Sequence, residues 1–154
     1  VKNVWFMANS THVVDLAFHL CGFPADWKSW HDGSLDWHLS ASRFCGSGIT
    51  EKGVLFNYQA DWEAPGRWGV EVLTRKRRFI FRPMEQLQVI QLGSVKVDTV
   101  ELDDGLDKEF KSGLYMQTKS FLDGDDHFFC SVDEQLKHCA VYDEMANYDS
   151  SSTI

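Results

Sequence analysis

The 154-residue sequence predicts an α+β fold: an open, mostly antiparallel β-sheet with helices packed on one face. Three observations carry this prediction. Hydrophobic residues recur near every 3.6 positions at both ends of the chain and near every 2 positions through the middle. The middle strands follow one another through short turns, which suits antiparallel neighbours because parallel ones need long crossovers. Helices grouped at the ends of such a meander must bury their apolar stripes against the sheet.

The elements follow in order. Residues 1–7 read as a strand or the end of one. The segment Asn9-Ser-Thr-His-Val-Val-Asp-Leu-Ala-Phe-His-Leu-Cys-Gly22 reads as a helix. Asn9 or Ser10 is its expected N-cap, since a short side-chain oxygen accepts a free amide of the first turn. Gly22 and Pro24 stop it. Residues 23–34 read as a loop. Trp37–Cys45 alternates as a strand and Gly46-Ser-Gly48 is expected to turn the chain. Gly53–Trp62 is the next strand, followed by a turn centred on Pro65-Gly66. Trp68–Thr74 with Arg78–Arg82, and Leu87–Leu92 with Val95–Leu102, form two hairpins. A helix is expected over Gly113–Leu122. The last helix opens with the capping box Ser131-Val-Asp-Glu134 and places Leu136, Cys139, Ala140 and Met145 toward one side. Domain organisation is one unit over residues 1–146 with a flexible tail at 147–154.

Composition narrows the function classes. With 44% hydrophobic residues, a chain of this length buries roughly 68–70% of its unfolded surface and needs no staples. The formal net charge of −8 argues against nucleic acid, whose backbone demands clustered cations. The one dense basic run, Arg75-Lys-Arg-Arg78, suits a solvated hairpin tip. No stretch reaches the ~18 apolar residues of a membrane span, so no membrane partner is expected. The four cysteines form no CxxC pair, and reduced cysteines in a cytoplasmic protein are the expectation. The opening residues do not look like a signal peptide, and the chain is expected to be one part of something longer.

Candidate chemistry concentrates in two places. His12, Asp15 and His19 fall within roughly a 60° arc of the first helix. A polar helix face, a metal site and a general base are all open to such a stripe. A metal would need distorted geometry from ligands at i, i+3 and i+7, and no HExxH pattern is present, so no metal is expected. A base gains from a position near the helix start, where the positive end of the helix favours neutral imidazole. The second place is Trp62-Glu-Ala-Pro-Gly-Arg-Trp68, which sets an acid, a base and two aromatic rings around one turn. Six tryptophans in the chain also leave open a carbohydrate-binding module, since flat rings stack on sugars, although sheet and core positions use them equally well. No GxGxxG, Walker A or GxSxG motif occurs, so no dinucleotide or nucleotide loop is expected here.

The combination His12-Val-Val-Asp15 with Leu16, Leu20 and Gly22 resembles the helix of the glucose-fructose oxidoreductase / inositol dehydrogenase / MocA family. The stretch Trp62-Glu-Ala-Pro-Gly-Arg-Trp-Gly-Val-Glu-Val-Leu73, the strand meander and the capped closing helix resemble that family's C-terminal domain. The resemblance spans nearly the whole of residues 1–146. It implies the substrate-binding and oligomerisation domain of an NAD(P)-dependent oxidoreductase acting on a sugar or cyclitol. It implies too that NAD or NADP and the catalytic lysine belong to a Rossmann domain outside this chain, so that the chain alone is inactive. His12 would take the hydroxyl proton, and Asp15 would orient it or hold a neighbouring hydroxyl. Asn9, Trp62, Arg67 and Trp68 are substrate-side candidates, with Tyr58 beside them. Many family members carry an acid four residues before the histidine, where this chain has Ala8. The sheet face, with Val54, Phe56, Tyr58, Val70, Val72, Phe79 and Phe81 on one side or the other, is the expected homo-oligomer surface.

Overall fold

The computed structural model describes residues 4–127 and 129–148. The chain runs through a π-helical turn (Phe6–Ser10), α1 (Thr11–Cys21), seven strands β1 (Pro24–Asp32), β2 (Arg43–Thr50), β3 (Leu55–Asp61), β4 (Val70–Leu73), β5 (Arg77–Phe81), β6 (Leu87–Gln91) and β7 (Asp98–Val100), then α2 (Gly105–Glu109), α3 (Leu114–Asp123) and α4 (Val132–Ala146). The fold is α+β, and its strands divide into two open antiparallel sheets, β1-β2-β3 and β4-β5-β6-β7. The expected meander is thus present, broken between β3 and β4 by the Pro65-Gly66 segment.

Several local expectations need correction. The backbone is already helical at Trp5, and Asn9 and Ser10 lie inside that run with no side-chain cap. The run Trp5-Phe6 reads as strand because both rings are apolar, yet a helix buries both: Trp5 is 4% exposed and Phe6 fully enclosed. Residues 24–32 form the edge strand β1, not a loop. Pro24 is tolerated as the first strand residue, and a bulge between Pro24 and Asp26 resets the alternation so that Trp27 and Ser29 face inward. The outward residues Lys28, Trp30 and Asp32 hid the pattern, as expected of an edge.

Gly46 and Gly48 do not turn the chain; they lie within β2. A Cβ on Gly46 would sit 2.5 Å from the Tyr58 ring, and one on Gly48 2.3 Å from the Asp26 carbonyl oxygen. Glycine serves here to let neighbouring strands approach. Residues 37–42 form an irregular loop around His38, which is 2% exposed. Its Nδ1–H donates to the Ala41 carbonyl at 2.6 Å, which also accepts from Trp5 Nε1–H at 3.1 Å. Its Nε2 accepts from the Tyr148 hydroxyl at 3.1 Å, and that oxygen accepts from the Phe6 amide at 3.1 Å. This buried chain of satisfied polar groups fixes the loop in place of a strand ladder.

The core lies between β1-β2-β3 on one side and the π-helical turn, α1 and α4 on the other. Trp5, Phe6, Val14, Phe18, Phe44, Val141, Tyr142, Met145 and Ala146 form it. The inward side of α4 is therefore Val141, Tyr142, Met145 and Ala146, while the expected Leu136 and Ala140 face out. Leu20 of α1 is likewise exposed. The capping box of α4 is present: Ser131 Oγ accepts from the Glu134 amide at 3.2 Å and Glu134 Oε2 from the Ser131 amide at 2.9 Å. Gly22 ends α1 at φ 100°, with its amide on the Phe18 carbonyl. Asn147 closes α4 in the left-handed region, and Tyr148 docks by its hydroxyl; residues 149–154 of the expected tail lie outside the described residues. The second sheet and α2–α3 contribute nothing to this core: none of its members lies between residues 61 and 140.

Candidate functional site

The packing of α1 against β4 brings the two sequence-defined regions together. Trp68 lies two residues before β4, and its indole reaches the start of α1. The His12 and Trp68 rings lie 5.1 Å apart at 41°. Trp68 Nε1–H donates to Asn9 Oδ1 at 3.1 Å, which fixes the indole beside the imidazole. His12 is exposed and Trp68 is 42% exposed, so both can meet a solute.

Trp68 also lines a cleft of about 240 Å³ with Gly66, Arg67, Pro83, Met84 and Glu85. Arg67 and Glu85 are exposed and belong to no ion pair among the described residues. Their neighbour Arg82 is engaged with Glu71 at 3.8 Å. Gly69 makes room for it: a Cβ there would meet Arg82 Nε at 2.7 Å.

Asp15 does not join His12. Its Oδ1 accepts from the Tyr142 hydroxyl at 3.0 Å and from His138 Nδ1 at 3.0 Å, tying α1 to α4. A carboxylate only accepts, so His138 Nδ1 carries its proton. Phe23 stacks on the His138 ring at 4.9 Å and 20°. Burial, and then the Asp15 charge, push the Tyr142 phenol well above its usual range. The expectation that Asp15 orients His12 is therefore corrected: almost a full turn further along α1, Asp15 is held by His138 and Tyr142 of α4. No carboxylate lies within hydrogen-bond distance of the His12 ring among the described residues, so nothing replaces the acid that Ala8 lacks. The helix-start effect is also weak here. Helical backbone begins at Trp5, about two turns earlier, and the dipole acts mainly over the first turn.

Trp62 packs against Trp37 at 4.9 Å and Trp5 at 5.4 Å, so one part of its ring rests on the core's edge while the residue stays 47% exposed. Tyr58 belongs to the interior. Its ring packs on Phe6, its hydroxyl donates to Ser29 Oγ at 2.8 Å, and burial raises its pKa. His19 stays on the exposed side of α1, near its end.

Sequence reasoning missed His138 and Tyr142 as partners of Asp15. Their i, i+4 spacing places them on one face of α4, which was a usable signal. It missed Pro83, Met84 and Glu85 as cleft walls, for which no local signal exists. Among the described residues no group of three or more His, Cys, Asp or Glu side chains is arranged to hold a metal ion. No helix there is long and apolar enough to cross a membrane. No family model matches the chain, and neither a curated protein nor a solved structure matches it.

Proposed function

We propose that the chain is the substrate-binding and oligomerisation domain of an NAD- or NADP-dependent oxidoreductase acting on a sugar or cyclitol hydroxyl. One observation carries the proposal: an exposed imidazole, His12, held against an exposed indole, Trp68, that Asn9 orients. A sugar ring stacks its C–H face on an indole, and a base at the ring's edge then meets a hydroxyl proton. In this arrangement Trp68 positions, Asn9 fixes Trp68, and His12 Nδ1 or Nε2 accepts the proton. The residues present do not fit a dinucleotide. Every strand pairing among them is antiparallel, whereas a dinucleotide cradle is built on a parallel β-strand–helix–strand unit. In this proposal NAD or NADP belongs to a Rossmann domain outside this chain, as the family resemblance implies.

The β4–β7 sheet supports the oligomerisation half of the proposal. Of the expected face, Val54 alone is exposed, Val70 is buried and Phe56, Tyr58, Val72, Phe79 and Phe81 are half-buried; the exposed apolar residues are Val100 of β7 with Leu92, Val95, Val97 and Leu102 of the turns beside it, a group that a second copy could cover. Sedimentation should give a dimer or larger species; a monomer at all concentrations removes this half.

Titration of the chain with myo-inositol or glucose, followed by NMR, should move the Trp68 indole and His12 signals, and Trp68→Ala should weaken binding about tenfold. Tight NAD(H) binding by this chain alone, or sugar binding elsewhere, overturns the proposal. A second reading, a non-catalytic carbohydrate-binding or assembly module, rests on Trp30, which is 55% exposed. Glycan binding that needs Trp30 and ignores both His12→Ala and Trp68→Ala favours it.

A further inference from the structure

We infer that the free edge of β1 pairs with a second copy of this chain: Lys28-Ser-Trp-His-Asp32 lies antiparallel to the same segment of its partner, across a twofold axis at Trp30, and joins two sheets into one. This surface is separate from the β7 group and from the Trp68 indole, so it stands without the sugar reading. The edge comes first. β1 has a neighbouring strand, β2, on one side only. Among the described residues, the backbone of residues 25–31 makes no hydrogen bond outside that pairing. Residues 27–32 keep unbroken register with β2, so alternate N–H and C=O groups along them turn away from it, a template for another strand. A lone charge blunts such an edge. Here Lys28 is matched by Asp32 on the same outward face, with Trp30 between them, 55% exposed.

Register then selects the occupant. Opposed residues of an antiparallel pair share a face, so a twofold axis passes through a residue and opposes positions equally far on either side of it. On Trp30 it sets Lys28 against the partner's Asp32 and Asp32 against the partner's Lys28. The two indoles meet at the axis, and Ser29 faces the partner's His31. Opposite charges and paired aromatic rings are favourable cross-strand pairs. Lys28 belongs to no ion pair among the described residues, and Asp32 holds Arg43 through Oδ2 at 2.6 Å, which leaves Oδ1 to accept. An axis on Lys28 opposes two lysines, one on Ser29 opposes Asp26 to Asp32, and one on His31 leaves both charges unanswered. An axis on Trp27 opposes Asp26 to Lys28, but the bulge between Pro24 and Asp26 breaks that register. β3, the other edge of this sheet, has no cation in Leu55–Asp61 and no such match to itself. A strand complementary to itself suits a second copy better than a foreign peptide.

The test is sedimentation of the whole chain carrying Lys28→Asp or Asp32→Lys, each alone and the two mixed in equal amounts. Each variant carries one sign of charge at both positions, so two contacts per dimer turn repulsive and association should weaken about thirtyfold. At a concentration where the unaltered chain has just assembled, the mass of the assembly should therefore halve. The mixture opposes unlike charges at both contacts, so the original mass should return, which an unfolded variant could not achieve. Both side chains are exposed, and the exposed Arg43 pair lost in Asp32→Lys contributes little to the fold. Masses unmoved by either variant, or variants that do not restore each other, overturn this inference and leave assembly through β7 standing. Halving by Lys28→Asp but not by Asp32→Lys also overturns it, since the axis then lies elsewhere. An unaltered chain that is monomeric at all concentrations overturns this inference and the oligomerisation half of the proposal together.

Discussion

Removing the Asp15 carboxylate separates a structural role from a substrate role. Asp15 Oδ1 is the hydrogen-bond acceptor of Tyr142, whose residue is 2% exposed, and of His138. Asp15→Ala strands the phenol hydroxyl in the core, and a buried polar group without a partner costs about 1–3 kcal/mol. The Asp15 side chain is itself 51% exposed, so water takes up part of the loss and about 1 kcal/mol remains. Tyr142→Phe removes the stranded group, so Asp15→Ala in that background should cost only a few tenths of a kcal/mol. The assay is urea unfolding of the four proteins of the cycle at constant m-value. A coupling energy of about 1 kcal/mol is expected. Additive effects, with coupling below about 0.3 kcal/mol, would refute the α1–α4 tie. Loss of sugar binding in Asp15→Ala with unchanged stability would return Asp15 to the substrate side.

Three further outcomes follow from the packing. Gly46→Ala drives a methyl into the Tyr58 ring and should cost about 1–3 kcal/mol, read as a fall in Tm. Met145→Ala empties a fully enclosed core position and should cost about 2–5 kcal/mol, read by urea unfolding. Burial raises the pKa of Tyr58, Tyr142 and Tyr148 above the ordinary 10.0, with Tyr148 pushed up to about 12. A raised folded-state value favours the neutral phenol, so this stability is fully present below pH 10.0 and is lost as pH rises through about 12. Phenolate absorbance should therefore rise together with unfolding; three tyrosines ionising near pH 10.0 in the folded chain would contradict the packing.

What the sequence makes legible is what neighbours in the chain decide. The strands β3 through β6, the Gly22 stop and the Ser131–Glu134 box depend on residues a few positions apart, and the structure has all of them, although burial alternates in β3 and β4 and not in β5 and β6. Gly46 and Gly48 mislead because their local signal is a turn while their reason is the close approach of Tyr58 and Asp26 on adjoining strands. Pro24 misleads in the same way at the head of β1. Within the candidate site, the resemblance pairs the His12 region with the Trp68 region, and the two do meet. The partners of Asp15, however, lie 123 and 127 positions away; their i, i+4 spacing marks one face of α4 but not the residue of α1 that it meets.

The placement of the core bears on how the chain must be made. The Phe6 amide and the Tyr148 hydroxyl meet across 142 positions, and the second sheet sits between them in sequence without joining them. During synthesis β1-β2-β3 is complete long before α4 exists to cover it, so Phe6, Phe44 and Met7 wait uncovered while about seventy residues of meander and helix emerge. A ribosome-stalled chain ending before Ser131 should accordingly be the form that recruits chaperones and aggregates. Extending it through Tyr148 should abolish both, with no change in the residues that were sticky.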